Sequence, residues 1–257
     1  MPDTPPIYFC HGLPGCPRDA SYFLNQPAVA PDLLAAMRMD MPVRAALAVQ
    51  FDALSDSQTP VHLVGFSIGA MTALEIAAAR PDRVAQVTLI SAAAPLQLGD
   101  FLPEMAGRPV FQMAMRRGPG LRLMTAAQGL MLRLAPKALV KQLFNGVSAL
   151  EQKQVAATGF DAMLKTGLRH AYQTNPQAYM RLLRHYVSDW TATLTQVQAP
   201  VTLWHGEADG WAPPAMAEAL VGELRGGTTL HQVPQAGHYA TLSHACAALE
   251  RGMRQAG

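Results

Sequence analysis

The chain has 257 residues, half of them hydrophobic and 15% charged, with a formal net charge of +2. That length buries a sizeable core and fits one α/β domain with an insertion or two small domains; the composition excludes a disordered or low-complexity chain. The charge gives no sign of a nucleic-acid partner, and no apolar run approaches the roughly 18 residues that a membrane-spanning helix needs.

Short apolar, β-branched runs alternate with longer helical patterns along the chain. Ile7–Cys10 reads as the first buried strand, and Ala28–Ala30 as a weaker second one. A helix is expected over 43–55, a strand at Val61–Val64, then an alanine-rich helix over 68–80 that Pro81 stops. Val87–Ile90 and Val201–Trp204 are further strands, a helix follows over 214–224, Thr229–Val233 closes the series, and a last helix covers 240–254. The alternation predicts an α/β fold: a mostly parallel sheet of about six strands, flanked by helices on both faces. Residues 96–189 break the rhythm. They hold helical segments such as 121–134 and 176–187 with Gly and Pro punctuation and no convincing strand, which predicts a helical lid inserted into a core of 1–95 and 190–257.

In an open parallel sheet, active sites form beyond the carboxyl ends of the strands. Four of those ends carry His11-Gly12-Leu13-Pro14-Gly15, Gly65-Phe66-Ser67-Ile68-Gly69, His205-Gly206-Glu207-Ala208-Asp209 and Ala236-Gly237-His238. A strand-to-helix turn tight enough to expose Ser67 needs glycines at its flanks and strains the serine backbone. The following helix aims free N–H groups and its positive end at the reacting centre. The Ile68 amide is then one donor for a developing oxyanion, and the Leu13 amide the simplest second. His238 would take the Ser67 proton, and Asp209 would orient the imidazole. Glu207 competes with Asp209 for that part. His231, inside the last strand, and His244, in the final helix, compete with His238.

This arrangement resembles the α/β-hydrolase superfamily over nearly the whole chain outside 96–189, in the order serine, acid, histidine. The resemblance implies Ser67 as nucleophile, Asp209 as acid, His238 as base, and Leu13 and Ile68 as oxyanion donors. It implies that His11 braces the oxyanion turn, and that no metal or organic cofactor is needed. A serine, where related dehalogenases and epoxide hydrolases carry aspartate and dienelactone hydrolases cysteine, implies acyl transfer, mostly ester, thioester or lactone hydrolysis; carbon–carbon bond hydrolases and perhydrolases of the family also use serine, and a slow ligand-binding receptor is the rival. The family's usual opening strand and hairpin partner are not seen before Ile7, so Ala28–Ala30 should form an exposed sheet edge through which two copies could pair.

Residues 101–190 contain 12 Lys/Arg and 4 Asp/Glu, the remainder 8 and 14. A basic insertion on an acidic core could steer an anionic substrate or an acidic acyl carrier to the site, or simply be a solvated surface. Seven of the 14 methionines lie in the same region, which suits an adaptable acyl pocket. Cys10, Cys16 and Cys246 are too few for a disulfide framework, and two further zinc ligands are lacking. They read as reduced thiols of a cytoplasmic protein, and the start MPDTPPIYFCHG does not read as a secretion signal.

Overall fold

The computed structural model describes residues 5–25, 27–56, 58–116, 118–145, 147, 151–152 and 159–256. Six parallel strands form one sheet: β1 (Ile7–Cys10), β2 (Ala28–Val29), β3 (Val61–Phe66), β4 (Val84–Ile90), β5 (Val201–Gly206) and β6 (Thr228–Val233), in the order β2-β1-β3-β4-β5-β6. The central strands β1 and β3 are buried at every position, which is why they read as continuous apolar runs rather than as alternating ones. Helices α3 (Val43–Leu54), α4 (Gly69–Ala79) and α10 (Pro214–Glu223) cover one face, and α1 (Arg18–Phe23) and α11 (His238–Ala256) the other.

β3 and β5 each run two residues beyond the predicted end, because Phe66 still pairs with Ile90 and Gly206 with Val233. The front halves of GFSIG and HGEAD therefore belong to strands, and only their last residues turn. β2 is a sheet edge as expected, but it is two residues long and half-buried, with Ala28, Val29 and Ala30 packed on the core. The opposite edge, β6, exposes Thr229, His231 and Gln232.

Between β4 and β5 the chain forms a helical insertion: α5 (Arg108–Met115), α6 (Gly120–Leu134), α7 (Pro136–Leu143), α8 (Phe160–Arg169), a π-helical turn (His170–Thr174) and α9 (Pro176–Val187). Side chains tie it to the sheet half. Arg181 on α9 donates to the carbonyls of Met37 at 2.7 Å, Met39 at 2.6 Å and Met41. Buried Glu75 on α4 accepts from Arg44 on α3 and from His185 on α9. His170 bonds Asp32 at 2.8 Å, and Asp32 also caps α2 (Leu33–Ala36) by accepting from Leu34 and Ala35 N–H. Among the described residues no helix is long and apolar enough to cross a membrane.

Candidate active site

Ser67 follows β3 and starts the turn into α4 at φ +57°, a left-handed conformation that costs a non-glycine residue about 1–2 kcal/mol. The turn is pinned from both sides: Ser67 N–H donates to the Ile90 carbonyl, and the Ser67 carbonyl accepts from Ala70 and Ala93 N–H. The two glycines answer to different neighbours. A Cβ at Gly65 would lie 2.7 Å from Ala70 Cα, and one at Gly69 only 2.2 Å from the Cys10 carbonyl oxygen of β1. Gly69 thus lets α4 press against the first strand. Gly12 does the same for the turn after β1, where a Cβ would meet the Phe66 ring at 2.9 Å and Ser67 Cβ at 3.2 Å.

Positive φ recurs at Ser91, after β4, and at Gln235, in the turn before His238. Among the described residues, the three non-glycines at positive φ therefore all stand at the carboxyl end of the sheet, where backbone strain gathers around functional groups.

Asp209 and His238 meet across the turns after β5 and β6. His238 Nδ1 lies 2.8 Å from Asp209 Oδ2 and 3.0 Å from Oδ1. A carboxylate only accepts, so Nδ1 carries the proton and Nε2 is the ring's acceptor. Asp209 Oδ1 also accepts from the Trp211 and Ala212 amides at 2.9 and 3.0 Å. Burial pushes the Asp209 carboxyl pKa up, but the His238 charge and hydrogen bond, helped by His205 and the Ala212 amide, outweigh it and hold the pKa below the ordinary value. The carboxylate thus stays ionised while shut off from water. Phe66 stacks obliquely on the His238 ring at 4.7 Å, and Ser91 Oγ donates to the His238 carbonyl at 3.2 Å.

The competing residues lie elsewhere. Glu207 is exposed and accepts from Gln235 N–H. His231 and His244 are exposed and rest on the Trp204 ring, 4.3 and 5.5 Å away. Buried His11 donates from Nδ1 to the Gly12 carbonyl at 2.8 Å, and burial lowers its pKa to about 4, so it is a neutral brace.

Ser67 and His238 line a cavity of about 410 Å³, together with Leu13 and Ile68. Neither the Leu13 nor the Ile68 amide donates a hydrogen bond to a described residue. The far wall comes from the insertion, including Met105, Met124, Met131, Tyr172 and Tyr179. Sequence reasoning missed the Trp211 and Ala212 amides that hold Asp209, since any residue type supplies a backbone N–H. It also missed Glu151, whose partner Tyr239 lies 88 positions away. The three cysteines are buried and free.

A parallel sheet with a serine on a strained turn and a buried acid–histidine pair at its carboxyl end defines a hydrolase architecture. Residues 7–251 match the model of the alpha/beta hydrolase family, and the chain belongs to that family. Among proteins of known role it is similar to pimeloyl-[acyl-carrier protein] methyl ester esterases. One, from Neisseria meningitidis (serogroup C / serotype 2a), is 28% identical over 200 residues, 78% of this chain and 68% of that protein. Another, from Aromatoleum aromaticum, is 29% identical over 246 residues, 84% of this chain and 86% of that protein. A third, from N. meningitidis serogroup A / serotype 4A, is longer, and the chain spans only 56% of it. Of solved structures, the 2-hydroxy-6-oxo-6-phenylhexa-2,4-dienoate hydrolase of Rhodococcus sp. strain RHA1 superposes with a TM-score of 0.64 at 19% identity, covering 99% of this chain and 91% of that one. Naproxen esterase from Bacillus subtilis superposes at 0.61 and 16% identity, covering 100% and 85%. At these identities the two structures speak for the fold alone.

Proposed function

We propose that the protein is a serine hydrolase that cleaves a carboxylic ester through an acyl-enzyme, with the helical insertion as its lid. The observation that carries this reading is the buried His238–Asp209 pair on a cavity shared with Ser67. Ser67 Oγ attacks the ester carbonyl while His238 Nε2 takes its proton. The carbonyl oxygen, now negative, is held by the Leu13 and Ile68 amides, which have no other described partner. His238 then protonates the departing alcohol, and Asp209 stabilises the imidazolium that exists between the two transfers. Water, deprotonated by His238, attacks the acyl-enzyme; the acid leaves and Ser67 recovers its proton.

The acyl group is presented on an acidic carrier protein. Two observations support this: the names of the curated relatives, and the charge of the lid. Between 105 and 150 the chain has seven Lys/Arg and no Asp or Glu. Of these, Arg108, Arg116, Arg122, Arg133, Lys137 and Lys141 are exposed. Such a surface attracts an acidic partner and speeds its encounter at low salt.

The test compares methyl esters of an acyl chain free and carrier-bound, beside the matching thioesters and simple p-nitrophenyl esters. The carrier-bound ester should give the highest kcat/KM, falling steeply with salt, and Ser67→Ala should remove roughly 10⁴-fold or more of kcat while leaving the fold intact. Full activity in Ser67→Ala would overturn the chemistry. Equal kcat/KM for free and carrier-bound esters would overturn the carrier.

A further inference from the structure

α11 opens at His238, so the proposed base occupies the first turn of a helix, where backbone N–H groups have no partner one turn back. Three side chains hold that turn. Ser91 Oγ donates to the His238 carbonyl at 3.2 Å, and Thr241 Oγ1 to the Gly237 carbonyl at 2.7 Å. Both belong to the sheet half. The third is Glu151, from the insertion, 1% exposed, whose Oε1 accepts the Tyr239 amide at 2.8 Å.

The fit around Glu151 is close. A Cβ on Gly237 would stand 2.2 Å from Glu151 Oε2, so the glycine preceding His238 leaves the space that the carboxylate fills. A carboxylate at the start of a helix is also favoured by the helix dipole. Burial raises the Glu151 carboxyl pKa and the Asp209 charge adds to the rise, while the Tyr239 amide and the His238 charge work the other way.

We infer that Glu151 is a positioning residue that links the seating of the insertion to the placement of the His238 imidazole. With the insertion seated, its carboxylate caps the turn and fixes the backbone from which the imidazole projects; with the insertion lifted, the turn loses that cap. Asp209 aligns the ring through Nδ1 in either state, so the lid completes the base without supplying a reacting group. A base assembled only under a seated lid acts on bound ester and spares an open site. The inference rests on the serine-hydrolase reading above.

The test measures kcat and KM on a p-nitrophenyl ester, and the rate of Ser67 labelling by a fluorophosphonate, for wild type, Glu151→Ala and Glu151→Gln. Glu151→Ala should lower kcat and the labelling rate about tenfold, the scale of a slightly misplaced catalytic group, with KM little changed. Glu151→Gln keeps an oxygen for the Tyr239 amide and should recover most of the loss. Asp161→Asn, on the exposed surface of α8, should behave as wild type. Should Glu151→Ala fail to fold, Gly237→Ala offers a second route, since its methyl group displaces the same carboxylate and should lower the labelling rate alike. Unchanged kcat and labelling in Glu151→Ala, a change confined to KM, or no rescue by a folded Glu151→Gln would each overturn the proposal. A wild type that hydrolyses no ester of the panel defeats the functional reading instead, and the labelling rates still report on Glu151.

Discussion

The two walls of the cavity are built by different means. On the sheet side, Ser67, Leu13, Asp209 and His238 follow strands whose ladders fix where each turn begins, and tight backbone approaches such as Gly69 on Cys10 leave little play. On the insertion side, amphipathic helices are fastened mainly by long-range side-chain bonds, Arg181 to three carbonyls, Glu75 between Arg44 and His185, His170 to Asp32, and Glu151 to Tyr239, beside the Ala106 N–H on the Gly210 carbonyl and the close approach of Gly167 to Gly15. A wall made of backbone holds reacting atoms steady. A wall pinned mainly by side chains carries the methionines and the positive charge, and it reaches the turn that bears His238 through Glu151.

The contrast can be broken most directly from the sheet side. Asp209→Asn preserves shape but removes the charge, and with its oxygen held by the Trp211 and Ala212 amides it turns an NH2 donor toward His238 Nδ1 and so fixes the wrong tautomer; kcat should fall about 10⁴-fold with KM nearly constant. A fall of only a few-fold in steady-state assays would mean that the pair is structural. At the junction of sheet half and insertion the largest expected effect is on stability. Arg44→Met leaves buried Glu75 with His185 alone, and unfolding in urea should show a loss of about 3 kcal/mol, with kcat on a small ester within a few-fold of wild type. A large loss of kcat there, in protein still folded, would show that the Glu75 cluster, and not Glu151 alone, transmits to the reacting groups.

Smaller effects sharpen the same distinction. Met131 lines the cavity from α6, and Met131→Ala should shift the preferred acyl length, changing relative kcat/KM along a series of esters by roughly tenfold. An unchanged profile would place the acyl chain elsewhere. The slightest effect is the acid dependence of stability. The Asp209 carboxyl is held below its ordinary pKa, so its stabilising contribution is complete above the unfolded value near pH 4 and is lost as pH falls through the folded one. The stability margin of wild type over Asp209→Asn, measured by urea unfolding, should therefore narrow below about pH 4; a margin that widens in acid would contradict the direction.

Ser67, Asp209 and His238 were legible because each lies a few residues beyond a run of buried β-branched and apolar residues, and each turn carries its own glycine. The helices over 43–55, 68–80, 214–224 and 240–254 fell within two residues of their observed limits, read from helical spacing or from a composition rich in alanine and bounded by proline or turn residues. α1, α2, α5, α7 and α8 were not foreseen individually: α1, α2, α5 and α7 have eight residues or fewer, too short for periodicity to stand out from neighbouring Pro and Gly, and α8 was read only as part of the helical insertion. Glu151 carried no local signal, because nothing near it in sequence shows that its carboxylate will cap a helix 88 residues away.

Local pattern by itself determined the sheet, the order of the groups at its carboxyl end and the separation of a basic insertion from an acidic core. These follow from strand burial, turn sterics and counted charge, which need only neighbouring residues. Only the tertiary structure decided that Asp209 rather than Glu207 meets His238, that Gly69 answers to β1 as well as to its own turn, and that the insertion reaches the turn bearing the base. Those are contacts between segments far apart in the chain, and their geometry exists only once the sheet has closed and the insertion has packed across its end.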